Sequence, residues 1–546
     1  MTHAAAPRAL VPGLPNRDGR FGEAPADFVA RMTAAHGLEG ALSFTDFLRR
    51  SVDRDPDKTA LVYEDARYSY AGLFQAIDDA AAWLVHEAKI APGDKVAMMV
   101  DNSDHYIVWY LATLAAGIVS VPLNTKLVGR EIAYQLDNSG AVFIVAETAF
   151  LDVIADAEKA LGRTLPKFLT DSDRVPAGLR DKGLPPVPDI DAPAAVYYTS
   201  GTTGAPKGVV HTHRGLIFMA LQAGIACEFG DPGLVFLGMM PLFHIASHVL
   251  VLPTLYLGGT LVVATYSTEA ILEIVEREGV NAFFAVPSML LMMVQSPARG
   301  DVDLSGVQVI QFGAAPMAIE RLGEVQALFP NASLVHCMGQ TESVGLIVTL
   351  PSDQAIDKLG SVGLPIPGCE RRVVDGDDKD VAAGQVGELV ARGPNVMVEY
   401  LANPDASADT LRGGWLHTGD LGYLDEDGYL YLVDRKKDMI IRGGENIYST
   451  EVEDVIYGHD GVALAAVVGM PSDLFGEEVC AFVVRKPDAA FEEADLQAHC
   501  RAQLAPFKVP RKVIFLDAFP MTATGKIQKQ ELKKLPEFAG AGRAAE

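Results

Sequence analysis

Positive charge is scarce in this sequence. The 546-residue chain carries 45 Lys and Arg against 71 Asp and Glu, a formal net charge of −26. Such an acidic balance repels backbone phosphates, so no nucleic-acid partner is expected. Cysteine is scarce as well. Cys227, Cys337, Cys369, Cys480 and Cys500 are odd in number, widely spread and never in CxxC spacing. That suggests neither a zinc site nor a disulfide framework, and fits a reducing, cytoplasmic compartment. Long apolar runs are missing too. The N-terminal MTHAAAPRALVPGLPNRDGR is broken by Pro7, Pro12 and Pro15 and does not read as a signal peptide. From Pro232 to Thr268 there is no Asp, Glu, Lys or Arg, yet Pro241, Pro253, Gly258, Gly259 and two histidines interrupt the stretch. It reads as a buried helix followed by a strand rather than a transmembrane segment. With 49% hydrophobic and 21% charged residues, the expectation is a soluble globular protein of more than one domain.

What is present is an alternation of strand-like and helix-like segments. DKVAMMV (94–100), IVSVPLN (118–124) and AVFIVAE (141–147) read as strands around helices at 105–117 and 129–136. The rhythm returns with GTLVVA (259–264), NAFFAVP (281–287) and VQVIQFGAAP (307–316), separated by helices over 269–278 and 288–294. This is the βαβ pattern of a mostly parallel sheet. Between 365 and 433 the chain turns to short strands, with DEDGYLYLV (425–433) as a hairpin signature. The remainder, to about 533, reads as a compact α+β domain whose first helix is capped by Ser449 or Thr450, and EFAGAGRAAE reads as a frayed tail.

One stretch has an unusual composition: YYTSGTTGAPKG, Tyr197 to Gly208, follows the strand-like AAVYY. Small hydroxyl and glycine residues let a backbone turn so that N–H groups and hydroxyls converge on phosphate oxygens, and Lys207 adds a point charge. The Walker A pattern is absent, because Lys207 follows Pro206 and precedes Gly208. A P-loop kinase or GTPase is therefore disfavoured.

YTSGTTGAPKG resembles the phosphate loop of the adenylate-forming superfamily: acyl- and aryl-CoA synthetases, peptide-synthetase adenylation domains and beetle luciferases. The resemblance continues in order through PLFH (241–244), FGAAP (312–316), GQTE (339–342), GWLHTGD (414–420), DRKKDMIIRGGENIYSTEVE (434–453) and TATGKIQKQEL (522–532). It covers nearly the whole chain from about residue 40. It implies an α/β fold, with a large N-terminal domain (1–436) of two αβ-layered subdomains plus a small β-barrel-like subdomain. A small mobile α+β C-terminal domain (437–546) would follow.

The resemblance also implies ATP, Mg2+ and coenzyme A as cofactor and co-substrates, and a carboxylate–CoA ligase that passes through an acyl-AMP. Thr199, Ser200, Gly201, Thr202, Thr203, Gly204 and Lys207 would hold the β- and γ-phosphates, and Gly313, Ala314, Ala315 and Pro316 would flank adenine. Thr341 would contact the α-phosphate and Glu342 would bind Mg2+, which suits a single carboxylate supplemented by water and phosphate oxygens. Asp420 and Arg435 would fix the ribose. Lys526 would be the catalytic lysine, Lys437 the hinge, and Gly443 and Gly444 the lining of a pantetheine tunnel. Met338 stands where the family often carries an aromatic residue.

His244 resembles the aromatic gate of CoA ligases, and His244, Ile245, Ser247, Gly313, Ala314, Cys337, Gly339 and Val344 are the expected acyl-pocket walls. The uncharged stretch around PLFH lacks the acid that amino-acid adenylation domains use, so an apolar fatty or aromatic acid is favoured. The small-molecule carboxylate, ATP and CoA are the expected partners, with a homodimer allowed. Two alternatives stay open: an acyl-AMP ligase loading a carrier protein, and a non-catalytic homologue that binds nucleotides or acyl-CoA.

Overall fold

The structure, a computed structural model, describes residues 43–541 apart from 177, 186–188, 200–204, 229–232, 315–316, 318, 488 and 522–526. The chain divides into two compact units: Met1–Ala314, Glu324–Arg372 and Val390–His417 form one, and Ala315–Gly323, Val373–Leu389 and Thr418–Glu546 the other. The boundary expected at 436/437 lies inside the second unit.

The first unit contains two αβ-layered sheets. One has seven strands in the order Glu399–Tyr400, Lys207–Thr212, Pro193–Thr199, Val119–Pro122, Lys95–Met99, Phe143–Ala146, Lys167–Leu169. Its strands from Val119 to Leu169 pair in parallel, as the alternating pattern requires. The other sheet has nine strands, with Thr260–Val263, Val235–Gly238, Ala282–Ala285, Val309–Gly313 and Ser333–Met338 as its parallel centre. Helix Asp104–Ala115 is capped by Ser103, whose hydroxyl accepts from the Tyr106 amide, and all its residues except His105 are buried. That explains its lack of a polar face. Helix Ile245–Leu257 is buried along most of its length and ends at Gly258, φ 79°. The charge-free stretch is therefore a core helix followed by strand Thr260–Val263, as its composition predicts. Each fully buried Leu or Val there adds roughly 1.5–3 kcal/mol.

The second unit holds the larger part of a four-stranded sheet, ordered Glu370–Val374, Gly387–Arg392, Leu416–Leu424, Leu430–Arg435. This is the expected small β unit, and its pairing runs in one line rather than closing as a barrel among the described residues. A five-stranded sheet follows: Glu445–Ile447, Ile440–Arg442, Gly476–Arg485 and Val462–Ser472, with Lys512–Phe515 parallel to Gly476–Arg485. Helix Ser449–Tyr457 covers it. Its N-cap is Tyr448 rather than Ser449 or Thr450, because Ser449 is occupied by Asp434, to which both its amide and its hydroxyl donate. Part of the expected frayed tail is helical, Pro536–Ala541, with Phe538 buried against Phe482. No helix among the described residues is long and apolar enough to cross a membrane.

Candidate active site

In the first unit, Thr199 ends one strand and Lys207 begins the next, and the two residues face each other in antiparallel register. Both strands lie inside the seven-stranded sheet, so the phosphate-loop candidate is anchored from two sides. Ser200, Gly201, Thr202, Thr203 and Gly204 lie outside the described residues, as do Ala315, Pro316 and Lys526.

Thr341 and Glu342 form a short 3-10 turn, Thr341–Ser343, directly after strand Ser333–Met338. Four side chains or amides hold this turn. His211 Nε2 donates to the Thr341 carbonyl at 2.8 Å, and the Met397 amide donates to the Glu342 carbonyl at 2.8 Å. Asn395 Nδ2 donates to the carbonyls of Ser343 (3.2 Å) and Leu346 (2.8 Å). The Tyr400 hydroxyl donates to Glu342 Oε1 at 2.7 Å. Burial pushes the His211 imidazole down to about 4, so it is neutral, and the carbonyl it faces fixes the proton on Nε2. Lys207 Nζ rests over the Tyr400 ring, 4.5 Å from its centroid. Lys207 and Glu342, far apart in sequence, thus share one aromatic neighbour.

The described residues contain no group of three side chains able to hold a metal ion. A divalent cation at Glu342 would therefore have one protein carboxylate oxygen beside the one Tyr400 engages, and would complete its shell from phosphate and water. That donor set fits Mg2+.

The expected acyl-pocket walls are adjacent. Gly313 and Cys337 are register partners on neighbouring strands, and a Cβ on Gly313 would stand 1.9 Å from the Cys337 carbonyl oxygen. A Cβ on Gly339 would come within 2.5 Å of the Gly345 carbonyl oxygen. Ala314 (φ 66°) and Val344 (φ 51°) sit in the left-handed region that β-branched residues in particular avoid. Strain of this kind concentrates at binding sites. Ile245 and Ser247 are buried in the first turn of helix Ile245–Leu257, with the Ser247 hydroxyl on the Pro241 carbonyl at 2.7 Å. Val249 of this helix touches Gly345: a Cβ there would lie 2.5 Å from Val249 Cγ2. His244 is the helix N-cap, its Nδ1 accepting from the Ala246 amide at 3.2 Å. Asn102, buried, positions the approach to it by donating to the Met240 carbonyl and accepting from the Leu242 amide.

In the second unit, Arg435 Nε stands 3.0 Å from Asp420 Oδ1, and Asp420 is buried. Lys437 lies in the turn after strand Leu430–Arg435, where the amides of Asp438 and Met439 both donate to the Arg435 carbonyl. Its ammonium is held below its ordinary value, by desolvation first and by Arg435 and Lys529 among its charged neighbours. Gly443 (φ 58°) and Gly444 (φ 91°) form the two-residue turn between Ile440–Arg442 and Glu445–Ile447. Two consecutive positive φ values require glycine there on turn geometry alone. Nothing lies within 4 Å of a Cβ placed on Gly444. The segment carrying Lys526 is closed by a bridge between Met521 and Ile527. Of its neighbouring lysines, Lys529 is structural, bound to Glu453 at 2.7 Å and to the Ser449 hydroxyl at 2.8 Å.

His211, Tyr400, Asn395 and Asn102 escape sequence reasoning. A histidine inside the buried strand segment VVHT is a signal that could have singled out His211, since buried polar residues need partners. Tyr400, in MVEYLANP, carries no such signal.

Residues 48–401 match the AMP-binding enzyme family, and residues 451–526 match the AMP-binding enzyme C-terminal domain. The chain is 35% identical over 491 residues to a feruloyl-CoA synthase of Amycolatopsis sp, covering 89% of this chain and 97% of the relative. It is 34% identical over 493 residues to a fatty acid–acyl-carrier-protein ligase of Streptomyces coeruleorubidus, covering 88% and 93%. The structure resembles that of o-succinylbenzoate coenzyme A synthetase from Bacillus subtilis in complex with ATP and magnesium ion, with a TM-score of 0.79, 31% identity, and 89% and 99% of the two chains covered. The chain belongs to the AMP-binding enzyme family of the adenylate-forming superfamily, and is an ATP-dependent acid–thiol ligase.

Proposed function

We propose that this enzyme joins an apolar fatty or aromatic carboxylic acid to coenzyme A in two steps. In the first, a carboxylate oxygen attacks the α-phosphorus of ATP; the bond to the β-phosphate oxygen breaks, and pyrophosphate leaves. In the second, the CoA thiolate attacks the acyl carbon and AMP leaves with the electron pair of the acyl–oxygen bond. Two anions meet in the first step, so cations and oriented donors must neutralise charge as it shifts.

The observation that carries this reading is the meeting of Lys207 and Glu342 at Tyr400. An ammonium for departing phosphates and a carboxylate for a divalent cation would be needed at one place, and here they share a neighbour. Thr199 to Gly204 with Lys207 would cradle the β- and γ-phosphates, and Thr341 the α-phosphate, its carbonyl held by His211. Glu342 would hold Mg2+, which supplies charge neutralisation on phosphate oxygens when bound. Gly313, Ala314, Ala315 and Pro316 would flank adenine. In the second unit, Asp420 and Arg435 would orient the ribose and Lys526 would act on the carboxylate and phosphate oxygens. Residues 437–546 would rotate about Lys437 between the steps, and Gly443 and Gly444 would then line the pantetheine path.

The acid is assigned from the walls named above. His244, Ile245, Ser247, Cys337, Gly339 and Val344 bring no carboxylate and no lysine or arginine, which favours an uncharged acyl chain over an amino acid or a diacid. The enzyme would work in the cytoplasm. A CoA-dependent AMP-release assay across short, medium, long-chain and aryl acids tests the reading. Release with apolar acids and none with amino acids is expected, and no turnover with any acid under ATP, Mg2+ and CoA would overturn it. The acyl-carrier-protein ligase among the relatives favours one second reading, delivery to a carrier thiol. The same assay with a phosphopantetheinylated carrier in place of CoA separates the two.

A further inference from the structure

We propose that Tyr400 is a positioning residue for the first half-reaction: its ring keeps the Lys207 ammonium and the Glu342 carboxylate from closing on each other, and its hydroxyl leaves one Glu342 oxygen open to a cation. This rests on the assignment of Lys207 and Glu342 made above, and adds to it a residue that neither the motifs nor the relatives' names point to.

Three sets of contacts converge. The Tyr400 hydroxyl donates to Glu342 Oε1 at 2.7 Å, and Lys207 Nζ lies 4.5 Å from the ring centroid. The side chain is fixed from both directions. Tyr400 pairs with Val209 across the strand that Lys207 opens, the Leu401 amide donates to the Gly208 carbonyl at 2.7 Å, and the Met397 amide donates to the Glu342 carbonyl. One five-residue segment is therefore tied by backbone to Glu342 and to the strand that Lys207 opens, and its tyrosine meets the ammonium with its face and the carboxylate with its hydroxyl. Tyr400 itself is buried.

The arrangement solves a specific problem. An ammonium and a carboxylate that meet the same side chain gain from direct pairing, and a closed pair has to be broken before either can meet a ligand. Among the described residues Lys207 makes no ion pair; its contact is with the aromatic face. A cation on an aromatic face is held more weakly than one on a carboxylate and is released to a phosphate more readily. The hydroxyl bond, in turn, occupies one carboxylate oxygen without neutralising its charge.

The test uses the full chain and reads Mn2+ binding by electron paramagnetic resonance, in the presence of α,β-methylene-ATP, for wild type, Tyr400→Phe, Tyr400→Leu and Glu342→Gln. Melting temperatures are taken alongside. Tyr400→Phe keeps the ring and loses the hydroxyl. Its Mn2+ affinity is expected to fall about tenfold, the worth of a hydrogen bond to a charged group, with nucleotide affinity in the absence of metal unchanged. Raising Mg2+ should restore its wild-type kcat. Tyr400→Leu removes the spacer as well, so nucleotide affinity should fall together with metal affinity. If Tyr400→Phe binds Mn2+ like wild type while Glu342→Gln does not, the positioning role is wrong and the Glu342 assignment stands. If neither variant changes Mn2+ binding, the Glu342 assignment itself is wrong. A Tyr400→Phe variant that loses metal affinity, nucleotide affinity and melting temperature together would show a purely structural residue and overturn the proposal.

Discussion

Two hairpins of this chain use small residues for opposite ends. The first, Pro193–Thr199 with Lys207–Thr212, lies within the seven-stranded sheet, flanked by Val119–Pro122 on one side and Glu399–Tyr400 on the other. Along its second strand, side chains set positions: Tyr400 holds Glu342 and faces Lys207, and His211 holds the Thr341 carbonyl. The second, Ile440–Arg442 with Glu445–Ile447, includes the edge strand of the five-stranded sheet. Its turn, Gly443–Gly444, has positive φ at both residues and open space around Gly444. Charge transfer between phosphates needs donors and cations that are already in place, because reorganising them during reaction costs part of the rate. A thin thiol chain needs backbone without side chains. The first hairpin is built by what its neighbours add, the second by what glycine leaves out.

If this contrast is right, the two half-reactions separate by mutation. The largest effect is expected from Lys526→Ala, whose acyl-AMP formation should fall on the order of 10²–10³-fold while thioester formation from supplied acyl-AMP persists. Equal loss of both half-reactions would remove the lysine from its assigned step. Gly444→Trp should do the reverse. Pyrophosphate release stays near wild type and thioester formation drops about a hundredfold, a size typical of displaced reacting groups. The left-handed backbone at this position, φ 91°, adds a stability cost of about 1–2 kcal/mol, which a melting curve reads separately. Unaffected CoA transfer in this variant would sink the tunnel assignment.

The smallest effect concerns pH and sharpens the contrast from the side of stability. His211 and His213 are pushed by burial down to about 4, and His248 to about 3. All three lie in the first unit. In the unfolded chain they bind protons near 6.5, so the unfolded state takes up more protons between the two values. Their contribution is complete above about pH 6.5 and is lost as pH falls toward 4, on the order of 2 kcal/mol for each histidine by pH 5. Thermal melts should therefore show the midpoint falling between pH 7 and pH 5. His248→Gln should flatten that dependence, and a midpoint indifferent to pH over this range would contradict the burial of these imidazoles as neutral groups.

The alternating elements were legible because each strand is a short apolar run between turn residues and each helix is a longer stretch, either amphipathic or apolar throughout where it is buried. Lys95–Met99, Asp104–Ala115 and Phe143–Ala146 fall where that pattern places them. The Asp425–Tyr429 turn, with Gly428 at φ 84°, likewise follows from local chemistry. Ser449 misled because its natural role as a helix cap lost to Asp434, fifteen residues away, which sequence cannot show to be near. At the candidate site, the motifs supplied the residues proposed to meet substrate and missed those that hold them. Tyr400 reaches Glu342 across 58 positions, and His211 reaches Thr341 across 130. Neither has a repeat or spacing to mark it.

The central step of the proposed reaction is an adenylate formed before any thiol is involved. Isotope exchange between radiolabelled pyrophosphate and ATP, run without CoA, measures this directly. Exchange that requires both an apolar acid and Mg2+, proceeds in the absence of CoA, and persists in Gly444→Trp is the predicted result. Exchange that appears only when CoA is added, or ATP consumed to ADP in place of AMP, would contradict it.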